Sequence, residues 1–186
     1  MEISKEEKQL LLKIARTSIE NYLGTGDNLD IDVEKYPLLK QQIGAFVTLS
    51  KYNNLRGCVG YIFSDDYLYE TIHNAAIQAA FHDPRFPSVI KSETKDIKLE
   101  ISLLSLPFKM NSYDDIIIGT HGLIVNEHGR RGLLLPQVPI EHNMNVEQYL
   151  SSLCLKAGLQ ADLWRQKLLN IEMFTATVFS EEELEG

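Results

Sequence analysis

An α+β fold, with a mixed or antiparallel sheet and helices gathered into one domain, is what this sequence predicts. Three observations carry the prediction. Two stretches, residues 4–23 and 145–157, repeat apolar residues at helical spacing. The strand-like stretches come as hairpin pairs. Helices and hairpins are mixed, without the single alternation that a doubly wound parallel sheet requires. At 186 residues the chain fits one domain, or one domain built as two lobes around a shared core.

In the first helix, Ser4 and Glu7 form a capping box, each satisfying amide groups that the helix leaves orphaned. Leu11, Ile14, Ala15, Ile19 and Tyr22 make the apolar stripe, and Gly24 supplies the stop. Residues 24–36 read as a polar, acidic loop. Residues 44–52 then alternate, with Ala45, Val47 and Leu49 on one face and Phe46 and Thr48 on the other. Asn53-Asn54 offers a turn tolerant of positive φ, and residues 55–63 return as the second strand of a hairpin. Asp65 or Asp66 is placed to cap a helix running to about Phe81, whose narrow face of Leu68, Ile72, Ala75, Ala76 and Ala79 permits close packing.

Residues 96–105 carry the clearest strand pattern, with Ile97, Leu99, Ile101 and Leu103 pointing one way and Lys98, Glu100 and Ser102 the other. Pro107 ends it. A short helix over 112–117 precedes a second hairpin that turns at His128-Gly129. Asn145, with Gln148 three residues on, caps the second long helix, which buries Val146, Tyr149, Leu150, Leu153 and Cys154 and stops at Gly158. A short helix around Trp164 and a strand over 171–179 close the chain, and the acidic residues 181–186 are expected to fray.

Composition excludes several classes of function. A net charge of −8 argues against nucleic acid, because phosphate neutralisation by a basic face supplies most of that affinity. The densest basic cluster, Arg130-Arg131, is too small for such a footprint. No apolar run approaches the ~20 residues of a membrane span, and no signal peptide is read at the N-terminus. Cys58 and Cys154, two cysteines in all, read as reduced thiols of a cytoplasmic protein. The five histidines show no metal-ligand spacing, and Gly24-Thr25-Gly26 leads into no phosphate loop, so neither metal nor cofactor is implied.

The segment Leu55-Arg56-Gly57-Cys58-Val59-Gly60 resembles the signature hexapeptide of the AMMECR domain family, with Val59 where that family usually has Ile. Residues 44–49, 79–87, 99–105, 119–125, 131–138 and 154–159 resemble further family blocks, in the expected order. The resemblance implies a larger and a smaller lobe with the hexapeptide in a cleft between them. It supplies no reaction. The family includes the A component of the AmmeMemoRadiSam set, so a Memo-like or a radical-SAM protein is the implied partner. This chain departs from the family pattern at Ser88, where a second Pro is common, and at Glu141-His142-Asn143-Met144, which lacks the usual Gly-Trp. No ligand contact is therefore assigned to that loop.

The residues themselves offer a short parts list. Cys58 lies in a strand near two glycines, where a ligand or another backbone can approach closely. Arg56, two positions earlier, is expected on the same strand face, where its charge would favour thiolate. The alternative makes Cys58 a small buried hydrophobe and pairs Arg56 with a carboxylate. The corner Asp83-Pro84-Arg85-Phe86-Pro87 presents Asp83 and Arg85 rigidly, either to a ligand anion or to loop amides and a salt bridge. Glu100 and His121 complete a candidate thiol or proton-transfer set with Cys58, His121 having a turn-capping role as its alternative. Two functions follow: small-molecule binding or chemistry in the cleft, with Arg56, Asp83 and Arg85 as ligand contacts, or a non-enzymatic adaptor that docks a protein partner through the same surface.

Overall fold

A computed structural model describes residues 3–27 and 29–185. Expectations that fall on Met1, Glu2, Asn28 and Gly186 lie outside the described residues. The fold is α+β, and its contacts group into two compact units, Met1–Leu104 with Thr177–Gly186 and Ser105–Ala176.

The first unit opens with α1 (Lys5–Tyr22), capped as the sequence predicts: the Glu7 amide donates to Ser4 Oγ at 3.2 Å, and the Ser4 amide donates to the Glu7 carboxylate at 2.9 Å. Gly24 ends the helix region at φ +68°, a conformation that costs glycine nothing. Strands β1 (Ala45–Lys51) and β2 (Asn54–Tyr61) form the first hairpin, followed by α2 (Leu68–Ile77) and β3 (Ile97–Leu104). β1 pairs antiparallel with both β2 and β3, so it is the middle strand of the three. Its inward residues Ala45, Val47 and Leu49 join Leu99, Ile101 and Leu103 of β3, and α1 and α2 supply Leu11, Ala15, Ile19, Leu68, Ile72 and Ala75 to the same core.

The hairpin turn is shifted from its expected place. Tyr52 and Asn53, rather than Asn53 and Asn54, adopt positive φ (52° and 60°), as a two-residue hairpin loop requires. The cap of α2 also differs. Tyr67, not Asp65 or Asp66, occupies the N-cap, and the helix caps itself from inside when the Tyr67 amide donates to Glu70 Oε2 at 3.1 Å. After Ile77 the helix widens into one turn of π-helix, Gln78–His82.

The second unit contains β4 (Phe108–Lys109), β5 (His121–Glu127), β6 (Arg130–Leu134), α3 (Val138–Glu141), α4 (Val146–Lys156), α5 (Leu163–Gln166) and the first part of β7 (Ile171–Ser180). β5 pairs with β6 and with β7, and His128 and Gly129 form the turn at φ 51° and 73°. Tyr149, Leu150, Leu153 and Cys154 of α4 pack on Leu123, Val125, Ile171 and Met173. Residues 112–117 hold only one 3-10 turn, Tyr113–Asp115.

Residues 181–185, expected to fray, instead form α6 (Glu181–Glu185). The reason is a specific partner. Arg16 donates Nε and Nη2 to the Glu181 carboxylate, Nη1 to the Thr94 carbonyl and Nη2 also to the Ile97 carbonyl, while the Leu99 amide donates to Glu181 Oε2 at 2.9 Å. No helix among the described residues is long and apolar enough to cross a membrane.

Candidate functional site

β2 pairs with β1 along one side, and its register with β1 slips between Leu49 and Ser50, so that Leu49 faces Gly57 while Ser50 faces Leu55. Arg56 is the extra residue of this bulge. Gly57 sits where the π turn comes closest, and a Cβ there would lie 2.1 Å from the Ala79 carbonyl oxygen. Glycine is thus required for the chain leaving α2 to pass against β2. That passage delivers Asp83 and Arg85 to the open side of Cys58.

There the two side chains take the places of a neighbouring strand's polar groups. The Cys58 amide donates to Asp83 Oδ2 at 3.0 Å, and Arg85 Nη2 donates to the Cys58 carbonyl at 3.1 Å. Asp83 is only 4% exposed, and its other bonds come from the Arg85 amide at 3.1 Å, Arg85 Nε at 2.9 Å and Arg85 Nη2 at 2.7 Å. The Arg85 side chain, against the opposing effect of burial, and then the Cys58 and Arg85 amides hold the Asp83 carboxyl far below the ordinary carboxylate range. The clamp also blunts an otherwise open strand edge.

Arg56 does not serve Cys58. The bulge takes it out of the strand alternation that would have set both side chains on one face, and its guanidinium binds Glu93 through Nη2 at 2.7 Å and Nε at 3.4 Å. Lys51 Nζ and the Ile90 amide share the same carboxylate, at 3.0 and 3.1 Å. Burial would raise the Glu93 carboxyl, but the bonds from Arg56, Lys51 and Ile90 outweigh it and hold it at about 2.

With both main-chain groups turned to the clamp, Cys58 and its partner Thr48 approach as a non-hydrogen-bonded antiparallel pair, the kind in which side chains lie closest. Thr48 Oγ1 donates to Cys58 Sγ at 3.3 Å. On its other side Thr48 stands opposite Glu100 of β3. Thiol, hydroxyl and carboxyl therefore form one cross-strand row on the sheet face away from the first unit's core. Cys58 is half-buried. Burial, and secondarily the charge of Glu183, push the Glu100 carboxyl up.

His121 belongs to the second unit, and its contacts are local. Its Nδ1 accepts from the Ile117 amide at 3.2 Å, its carbonyl accepts from the Tyr149 hydroxyl at 3.2 Å, and its ring meets Phe108 edge-on at 5.7 Å. These contacts match the turn-capping alternative. Among the described residues, no group of three or more His, Cys, Asp and Glu side chains is placed to hold a metal ion.

The model of one protein family, AMMECR1, matches residues 12–179. The chain belongs to the AMMECR1 family. Relatives extend over almost the whole of it. A protein of Methanococcus aeolicus is 43% identical over 187 residues, covering 96% of this chain and 93% of the relative. One of Methanopyrus kandleri is 43% identical over 195 residues, covering 99% and 93%. The crystal structure of uncharacterized protein PH0010 from Pyrococcus horikoshii superposes with a TM-score of 0.82 at 38% identity, covering 99% of this chain and 96% of that one.

In this AMMECR1 chain the hexapeptide thus does several separate jobs. Gly57 admits the π turn, Arg56 anchors Glu93, and Cys58 is held by its main chain and presents its thiol beside Thr48. Sequence reasoning missed Thr48 and Glu93. Thr48 was legible as an outward strand residue, but its position opposite Cys58 depends on the bulge. Glu93 lies in a 3-10 segment, Lys91–Asp96, with no pattern to mark it. Ser88, a departure from the family pattern, donates its hydroxyl to the Phe81 carbonyl at 3.0 Å and so ties the corner to the π turn.

Proposed function

We propose that this protein binds a small molecule on the outer face of the first unit's sheet, at the row Cys58–Thr48–Glu100, with the Cys58 thiol as the group that engages it. One observation carries the reading: a buried carboxylate and its arginine are spent on fixing the main chain of a cysteine whose side chain is left partly accessible. The Thr48 hydroxyl donates to the sulfur, and the Glu100 carboxyl stands two strands away in the same row.

The test uses Cys154, which is fully buried, as an internal control. Iodoacetamide applied to the native protein and followed by peptide mass mapping is expected to label Cys58 well ahead of Cys154. Thr48→Val is expected to slow that labelling without altering the melting profile. Native Cys58 as inert as Cys154 would overturn the proposal.

A second reading, docking of a protein partner, is supported by the apolar exposure of the same hairpin. Tyr52 is 73% exposed and Leu55 46%, with Tyr61 and Phe63 also exposed. For this reading, Tyr52→Ser with Leu55→Asp is expected to abolish co-purification of a partner while leaving Cys58 alkylation unchanged. Retained co-purification would dismiss it.

A further inference from the structure

A cavity of the first unit lies apart from the hexapeptide. It has a volume of about 550 Å³ and opens between α1, α2 and residues 29–31. That size falls within the roughly 300–1,000 Å³ of small-molecule sites. Spacing explains how the helices build it. Ile14, Thr17, Ser18 and Asn21 share one stripe of α1, while Tyr69, Glu70 and His73 come from the first turns of α2.

The polar groups are few and specific. Ser18, 5% exposed, donates its hydroxyl proton to the Ile14 carbonyl at 2.7 Å and lies 2.8 Å from His73 Nδ1. A hydroxyl has one proton, so with that proton given to Ile14 the contact is made by His73 Nδ1–H, and in the neutral ring Nε2 is then an acceptor. Asp30 at the rim has no hydrogen bond or ion pair with any described residue. Glu70 adds a second carboxylate, and neither Lys nor Arg is among the lining residues. Thr17 and Asn21 add neutral polar groups, so the site's formal charge is negative over a floor of Ile14, Leu29, Ile31 and Tyr69.

We propose that this cavity binds a small organic amine, its apolar body on that floor, its ammonium group at Asp30 and an N–H donated to His73 Nε2. An anion of the same shape would meet two carboxylates with no compensating cation. The proposal goes beyond the Cys58 reading and shares no residue with it.

The experiment titrates 2-phenylethylamine, and separately its anionic analogue 3-phenylpropionate, into the full ¹⁵N-labelled chain. The amine is expected to give saturable amide shifts at Ser18, Asn21 and His73, and the anion to bind at least about tenfold more weakly. Asp30→Asn, an exposed loop substitution whose spectrum reports retention of the fold, is expected to weaken the amine about tenfold. Cys58→Ser is expected to leave its affinity unchanged, which keeps this site's failure separate from the other's. Equal binding of amine and anion, an unaltered affinity in Asp30→Asn, shifts mapping elsewhere, or no saturable binding of the amine would each overturn the proposal.

Discussion

Replacing Asp83 by Asn preserves the side chain's size and removes its charge. In the native structure each carboxylate oxygen accepts two N–H groups: Oδ2 from the Cys58 amide and Arg85 Nη2, Oδ1 from the Arg85 amide and Arg85 Nε. Whichever way the Asn amide is turned, its nitrogen faces two donors. The substitution therefore breaks two charge-assisted bonds and leaves a main-chain N–H opposed by another donor. Such bonds are worth about 1.5–3 kcal/mol each, and an orphaned buried group costs about 1–3 kcal/mol. The Arg85 side chain is 54% exposed and regains water, which discounts its share. The expected net loss is about 3 kcal/mol, or a fall in Tm of roughly 6–12 °C for a chain of this length. Urea titration with linear extrapolation, paired with calorimetry, measures both. A loss below about 0.5 kcal/mol, the scatter of ordinary surface substitutions, would show that the clamp contributes nothing to holding β2.

Two further outcomes follow from the same region. Gly57→Ala places a Cβ 2.1 Å from the Ala79 oxygen, where ordinary contact begins at 3.4 Å, so β2 and the π turn must separate; a loss of about 3 kcal/mol is expected in urea, at the upper end of overpacking costs. Acidification should also weaken the fold. Asp83 and Glu93 both have folded pKa values below their ordinary 3.8 and 4.5, so their contributions are complete above those values and drain away as pH falls toward about 2. The urea midpoint should therefore drop below about pH 4.5, more shallowly in Asp83→Asn than in the parent. A midpoint that does not change between pH 6 and 3 would contradict this.

The α+β class and the two long helices were legible because their signals are local. Ser4 with Glu7 and Asn145 with Gln148 state the helix starts within four residues, and the period of the apolar stripe does the rest. Both hairpins were legible as pairs, and the second at its turn, His128-Gly129, but the first was not legible in register. A two-residue turn at Asn53-Asn54 would set Thr48 opposite Val59 and place Cys58 on the other face. The observed turn at Tyr52-Asn53 and the bulge at Arg56 together set Thr48 opposite Cys58. A bulge has no sequence marker here beyond the neighbouring glycine, and one residue of slip exchanges the faces of a strand. The prolines marked residues 83–87 as a corner that presents Asp83 and Arg85. That its charges are consumed on main chain depended on β2 lying at an open edge, which only the tertiary arrangement supplies. Arg56 illustrates the same limit: its partner Glu93 is 37 residues away.

The first unit is discontinuous in the chain, since it takes its final pieces from residues 177–186, with Phe179 wholly inside its core and Glu181 bonded to Arg16 and the Leu99 amide. Synthesis proceeds from the N-terminus. While residues 177–186 are still sheltered by the ribosome, some hundred residues already emerged must wait with an unfilled core and a guanidinium lacking its counter-ion. Emergence of residues 177–186, and not of the hexapeptide, is then the moment at which the sheet bearing Cys58 becomes complete.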